Sequence, residues 1–245
     1  MYLQLCFRIG TVHAGSAVQL LGQIVPSERN GIELVCNSYR VVGGCKQENL
    51  PFSISPKNQI PFGVARQYPH LRTLVNPFPS IMRIRSSVIS AIHSYYQEAG
   101  YTCVTTPLIT SNDCEGGGDV FQIKSASCTD QEKFFDRDAF LSVSSQLHLE
   151  AMANGLGNVF TIAPAFRAEN QKSQRHLSEF TMLEAEENFV YTVDELMDHV
   201  EHLTRFIGNH VLDKCSEDHQ TVLRHSAIKK YSGYEKIIHP KKYLR

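Results

Sequence analysis

Two short runs of alternating apolar and polar residues, separated by a polar interval, constrain this chain more than any other feature. Val159, Phe160, Ile162 and Ala165 form the first run, which ends on Arg167 and Glu169; Phe180, Met182, Glu184 and Glu186 form the second. Alternation with a period of two is the signature of a strand. Two such runs, joined by the ten mostly polar residues 168 to 177, pair most simply as an antiparallel hairpin with a long loop. Side chains two apart share a face, so Arg167 goes with Glu169 and Glu184 with Glu186, and four charges gather on one side of the sheet. One reading is a solvated edge with surface ion pairs worth ~0–1 kcal/mol each. The other is an arginine fork and carboxylates lining a pocket for a zwitterionic or phosphorylated ligand, because a planar guanidinium meets phosphate or carboxylate in bidentate fashion. These residues alone leave both open.

The segments around the hairpin predict an α+β fold. Ser80 is placed to cap a helix in which Ile81, Ile84, Val88, Ile92 and Tyr95 recur at spacings of three and four until Gly100. It leads into YTCVTTP, a β-branched strand closed by Pro107, and then a polar, glycine-rich loop, SNDCEGGGDVF. FLSVSSQLHLEAMANGLG starts as a strand at Phe140, turns helical near Ser145 and stops at Gly155 and Gly157. Thr192 and Glu195 make a capping box for a further helix, apolar at Leu196, Val200, Leu203, Ile207 and Val211. Beyond Lys214 the chain is basic and weakly patterned, which predicts poor order. Near the other end, two Val/Ile/Leu-rich runs within residues 17–42 flank the turn PSERNG and predict a second hairpin. Pro51, Pro56, Pro61, Pro69, Pro77 and Pro79 then mark an extended connector and a domain boundary.

Composition narrows the function classes. At 245 residues the chain can bury a substantial core, and a formal net charge of −1 gives no global field toward nucleic acid or membrane, so such a partner must meet a local patch. No apolar run reaches the ~20 residues of a membrane span, and MYLQLCFRIG lacks the features of a signal peptide. The seven cysteines show neither C-x-x-C nor a finger-spaced histidine and read as reduced thiols of an intracellular protein. There is no phosphate-binding P-loop and no G-x-G-x-x-G turn. His93, His148 and His202 read as helix-surface residues, and Cys103 and Cys114 as packing residues.

The segment FRAENQKSQRHLSEFTMLEAE resembles motif 2 of the class II aminoacyl-tRNA synthetases, whose core is Phe-Arg-x-Glu, a loop, then Arg-His-x-x-Glu-Phe. RIRSSVISAIHSYYQEAGYTCVTTP is similar to motif 1 of that class, a long helix and a strand closed by proline. The likeness runs on through TSNDCEGGGDVF and LSVSSQLHLEAM, covers roughly residues 65 to 213, and points to the aspartyl, asparaginyl and lysyl subgroup. Within it the chain looks most like the asparaginyl enzymes of the mitochondrial and bacterial type.

This resemblance implies an antiparallel sheet flanked by helices, with ATP bent over one face. Arg167 would hold the ATP α-phosphate and the amino acid carboxylate. Glu169 would accept from the adenine amino group, Phe180 would stack on the base, and Arg175 and His176 would reach the outer phosphates or the tRNA acceptor end. Glu115 would pair with the substrate ammonium and Gln146 would hydrogen-bond the substrate near its backbone, with Ser144 a weaker candidate. Glu184 would read the side chain: an asparagine amide offers two N–H donors where aspartate offers only acceptors. Arg167 would be the catalytic residue, and no protein metal ligand is assigned. The partners implied are ATP, asparagine and tRNA(Asn), with Mg²⁺ screening the phosphates, a homodimer formed through motif 1, no membrane, and a mitochondrial matrix location with the cytoplasm as alternative.

The resemblance fades after residue 213. The class's third motif and the acidic residues that hold Mg²⁺ have no counterpart here, and residues 17–42 look like the last part of an OB-fold. The expectation is thus a chain shortened at both ends: a partial OB-fold over 1–45, a connector over 46–79 and a partial catalytic domain over 80–245, with impaired adenylate formation. An aspartyl-type enzyme, a tRNA-independent relative that amidates aspartate, and a non-catalytic module dimerising through motif 1 are the alternatives.

Overall fold

The computed structural model describes residues 12–27, 31–54, 60–112, 119–124, 136–170, 173 and 176–225. The described backbone forms two compact units: residues as far as Arg85 together with Cys215 to His225 make one, and Ser86 to Lys214 lie in the other.

In the first unit, β1 (Ala17–Ser27) and β2 (Gly31–Gly43) pair antiparallel, as the two Val/Ile/Leu-rich runs predict. Leu21, Ile24, Val35 and Val42 stay exposed on this ribbon. A short helix, α1 (Phe62–Arg66), follows, and Phe62 meets Phe78 edge to face with ring centres 5.4 Å apart. The long helix α2 (Phe78–Glu98) begins two residues before the predicted cap, so Ser80 is a buried residue of its first turn rather than the cap. Ser80 accepts a hydrogen bond from Arg83 at 3.3 Å, and the Arg83 Nε also donates to Asp218 at 2.8 Å. Asp218 lies in α5 (Ser216–His225), a helix in the segment expected to be poorly ordered; residues 226–245 lie outside the described part. Glu217 and Asp218 in its first turn and Arg224 and His225 in its last complement the helix dipole.

The second unit carries the predicted hairpin. After β3 (Thr102–Cys103), β4 (Ile109–Thr110), β5 (Gln122–Ile123), β6 (Ala139–Leu141) and α3 (Gln146–Leu156) come β7 (Val159–Phe166) and β8 (Glu179–Glu186), then α4 (Val193–Lys214). One sheet has the order β3-β7-β8, with β7 antiparallel to β8 and parallel to β3; a second has the order β4-β6-β5. The Phe166 N–H donates to the Ser142 carbonyl at 3.0 Å and so ties the end of β7 to the residue after β6. Gly157, at φ 79°, ends α3 in a conformation that a side chain disfavours and turns the chain into β7.

Register fixes the two faces of the hairpin. Phe160 lies opposite Ala185 and Ile162 opposite Leu183 on one face; Val159 lies opposite Glu186, Thr161 opposite Glu184, Ala163 opposite Met182 and Ala165 opposite Phe180 on the other. The first face packs against α2 and α4: Ile92, Tyr96, Tyr101 and Phe160 form the core, with Val88, Ile162, Leu183, Leu203 and Ile207 around them. His93 belongs to this packing, edge to face with Phe160 at 5.5 Å, and is not the surface residue its polarity suggested. His202 is exposed as expected, but so is Cys103, which the sequence reading had packed. The four described cysteines, Cys36, Cys45, Cys103 and Cys215, are all free.

One half of the predicted capping box of α4 forms, the Glu195 N–H donating to Thr192 Oγ1 at 3.3 Å, while Glu195 Oε2 accepts from the N–H of Tyr191, the residue before the cap, at 2.9 Å. The core-facing side of α4 is rotated from the one expected. His199, Leu203 and Ile207 turn to the core, while Leu196 and Val200 remain 53% and 54% exposed.

Candidate active site

The second face of the hairpin gathers Arg167, Phe180 and Glu184, three of the residues that the sequence singled out. Arg167 extends the β7–β8 pairing one residue past the strand, its N–H donating to the Ser178 carbonyl at 3.0 Å. Its guanidinium carbon lies 5.8 Å from the centre of the Phe180 ring, within cation–π range. From Phe180 the strand runs past Met182 to Glu184, four residues or about 13 Å at the usual rise of a strand. Ala163 and Ala165 on β7, both buried, form the floor beside this row. A cation-bearing end and a carboxylate end are thus separated by a flat apolar strip.

Glu184 is the most tightly held of these groups. Its Oε1 accepts from the Ser144 hydroxyl and, at 3.0 Å, from the Ser145 backbone N–H, which also reaches Oε2 at 2.9 Å. These donors belong to the entry of α3, where Ser145 is the residue before the first turn, so the carboxylate sits against the positive end of the helix dipole. Ser144 Oγ also accepts from the Gln146 N–H at 3.1 Å. The Ser145 hydroxyl is engaged elsewhere, 2.8 Å from Thr106 Oγ1 in a buried pair.

The remaining candidates spread around this row. Gln146, the first residue of α3, is exposed, and its side-chain amide donates to Glu150 at 2.9 Å on the helix's own surface. Glu169 lies three residues beyond the end of β7 and is half-buried; the preceding Ala168 N–H donates to the Asp119 carbonyl at 2.7 Å. His176 is exposed and its Nδ1 is 2.6 Å from the Ser173 hydroxyl. Glu115 and Arg175 lie outside the described residues. Glu186, on the same face as Glu184, has its carboxyl raised above the usual range by burial and, secondarily, by the charge of Glu150.

Sequence reasoning missed the Ser145 amide and the Thr106 hydroxyl. A backbone donor leaves no mark in residue identity, although the buried strand followed by a helix start at Ser145 was itself a signal. Missed as well was a polar cluster behind the sheet: His199 Nε2 is 3.3 Å from the Tyr96 hydroxyl, His199 Nδ1 is 3.5 Å from the Tyr101 hydroxyl, and Glu187 lies 3.3 Å from the same ring nitrogen.

Helix-flanked antiparallel strands, an arginine leaving one strand and a carboxylate pair on its neighbour agree with the family comparison. Residues 63–241 match the model of the tRNA synthetases class II (D, K and N), and the chain belongs to that family. It is 46% identical over 208 residues to the asparaginyl-tRNA synthetase of Mus musculus, covering 83% of this chain and 43% of that protein. To the mitochondrial asparagine–tRNA ligase of Schizosaccharomyces pombe it is 37% identical over 213 residues, covering 82% and 48%. The structure of asparaginyl-tRNA synthetase from Pyrococcus horikoshii complexed with asparaginyl-adenylate superposes with a TM-score of 0.71 at 25% identity, covering 89% of this chain and 49% of that one. The chain spans about half the length of the relatives it matches.

Proposed function

We propose that this chain carries the amino acid and ATP-binding face of an asparagine–tRNA ligase, which activates asparagine with ATP and transfers it to tRNA(Asn). The observation that carries the reading is Glu184: a carboxylate fixed at one end of an apolar strip whose other end holds Arg167. A carboxylate there favours a ligand side chain that donates and repels one that carries negative charge, so asparagine fits where aspartate does not. The names of the relatives support the same specificity.

In this reading the asparagine carboxylate attacks the α-phosphorus of ATP, pyrophosphate leaves, and the terminal hydroxyl of the tRNA takes the acyl group. Arg167 would leave the Phe180 ring to bridge the two reacting anions, and the vacated ring face would receive adenine. Glu169 would accept from the adenine amino group, Arg175 and His176 would meet the outer phosphates or the tRNA end, Glu115 would pair with the substrate ammonium, and Gln146 would turn from Glu150 to the substrate. Catalysis would rest on positioning and charge stabilisation, with no nucleophilic side chain. Among the described residues no group of His, Cys, Asp and Glu could hold a metal ion, so no step is assigned to Mg²⁺ through them.

Ile81 and Met82, 40% and 50% exposed on α2, support a homodimer formed through that helix. The β1–β2 ribbon fits the remnant of an OB-fold, and the S. pombe relative supports a mitochondrial location. No described helix is long and apolar enough to cross a membrane. Because adenylate formation is expected to be impaired in this chain, the decisive test is calorimetric binding of ATP and asparagine to the purified chain. Binding that Arg167→Ala weakens about tenfold or more supports the reading, and binding of aspartate as tight as that of asparagine sinks its specificity.

A further inference from the structure

The Ser144 hydroxyl faces the Glu184 carboxylate. We infer that Ser144 is a positioning residue, whose hydroxyl orients the Glu184 carboxylate and thereby sets the preference for a side-chain amide over a side-chain carboxylate. The inference rests on the proposed asparagine site and goes beyond it, because it assigns part of the selectivity to a residue that acts through Glu184.

The direction of each hydrogen bond can be settled from donor counts. A serine hydroxyl has one proton, and Ser144 Oγ already accepts from the Gln146 N–H at 3.1 Å. Its own proton therefore points to Glu184 Oε1. An ionised carboxylate has about four acceptor positions. The Ser144 hydroxyl takes one on Oε1, and the Ser145 N–H is shared between Oε1 at 3.0 Å and Oε2 at 2.9 Å. One position is left, on Oε2, which is what a single amide N–H requires. The clamp is rigid on its protein side: Ser145 is 5% exposed and pinned through its hydroxyl to buried Thr106, and Ser144 is fixed by the first amide of α3.

Without the Ser144 hydroxyl, Glu184 keeps only the shared Ser145 N–H. The carboxylate can then rotate about its last bond, and the open acceptor is no longer held in one place. An amide donor loses its aligned partner, whereas a ligand carboxylate loses only part of a repulsion. Selectivity falls more than affinity for the nucleotide part does.

The test is calorimetric binding of the non-hydrolysable asparaginyl-sulfamoyl adenosine and its aspartyl counterpart to the full chain and its variants, with ATP as a third ligand. Ser144→Ala is expected to lower the asparaginyl-to-aspartyl affinity ratio about tenfold while ATP affinity stays within twofold. Ser144→Thr, which keeps the hydroxyl, is expected to restore the ratio to within threefold. A purely structural role would lower all three affinities together and would not be rescued by threonine, and either result overturns the inference. If Glu184→Ala erases the ratio but Ser144→Ala leaves it within twofold, the positioning role fails and the asparagine site stands. If the unsubstituted chain shows no preference for the asparaginyl ligand, the site reading itself fails and the inference falls with it. Should circular dichroism show Ser144→Ala unfolded, Ser144→Cys, a poorer donor of similar size, is read against the same limits.

Discussion

The β7–β8 hairpin presents two faces whose residues alternate along the same sixteen positions. On the rear face Phe160, Ile162 and Leu183 are closed over by α2 and α4, and Phe160 stacks on Tyr96 with ring centres 4.7 Å apart. On the front face Phe180, Met182, Glu184 and Glu186 remain half-buried, beneath the entry of α3. The rear is finished by packing. The front is finished by hydrogen bonds whose acceptors are only partly used, and a surface of that kind is available to a ligand. Under the proposed function, stability and recognition fall to opposite sides of one sheet, and substitutions on each side should separate them.

The largest effect belongs to the rear. Phe160 is fully buried and at the centre of the core, so Phe160→Ala is expected to destabilise the protein by about 3–5 kcal/mol. Urea unfolding followed by circular dichroism measures it. A loss below about 1 kcal/mol would mean that the rear face is not the structural side.

The polar cluster on the rear gives a second, pH-dependent effect. Burial, with smaller contributions from Tyr95 and Glu187, pushes the Tyr96 hydroxyl from 10.0 up to about 12. Burial, followed by the hydrogen bond to Glu187, raises Tyr101 as well. The folded state thus holds protons that the unfolded chain releases first. The Tyr96 contribution is complete below about pH 10 and is lost as the pH rises toward about 12, with a size of roughly 2–3 kcal/mol. Unfolding free energy measured from pH 8 to pH 12 should be flat and then fall, and Tyr96→Phe should flatten part of the fall. An unchanged profile in Tyr96→Phe would remove this cluster from the account of rear-face stability.

How much of this was legible in the sequence follows from the range of each interaction. The hairpin, its register side and the α4 capping box depend on residues close together, and alternation or spacing announced them. The clamp on Glu184 joins residues 39 and 40 positions apart, and one of its donors is a backbone amide. His93 looked like a surface residue because polarity was read without neighbours, and His199 was not singled out; each has aromatic partners supplied by distant elements. In α4 the expected apolar side included Leu196 and Val200, because an inward His199 was not anticipated. α5 was missed for a different reason: its helix signal lies in the ends, acidic first and basic last, and its middle is too polar to show a strong apolar stripe. Arg167, Phe180 and Glu184 were singled out from motif resemblance, and the fold places them along one face; their pairing with one another was not readable.

The smallest expected effect on stability tests the front face most directly. Gln146 is exposed, and its side-chain amide donates to Glu150 four residues on, at 2.9 Å. An exposed pair at that spacing stabilises a helix by about 0.2–0.5 kcal/mol. Gln146→Ala should therefore shift the urea midpoint by an amount equivalent to no more than about 0.5 kcal/mol, alanine's helix propensity offsetting part of the lost bond. A ligand amide or carboxylate in a partly desolvated site competes well against so weak an internal partner. The same substitution should weaken binding of the asparaginyl-sulfamoyl ligand about tenfold with ATP affinity little changed. A stability loss above about 1 kcal/mol would make Gln146 a structural residue of α3, and unchanged ligand affinity would confine the front-face recognition surface to the β8 side of the helix entry.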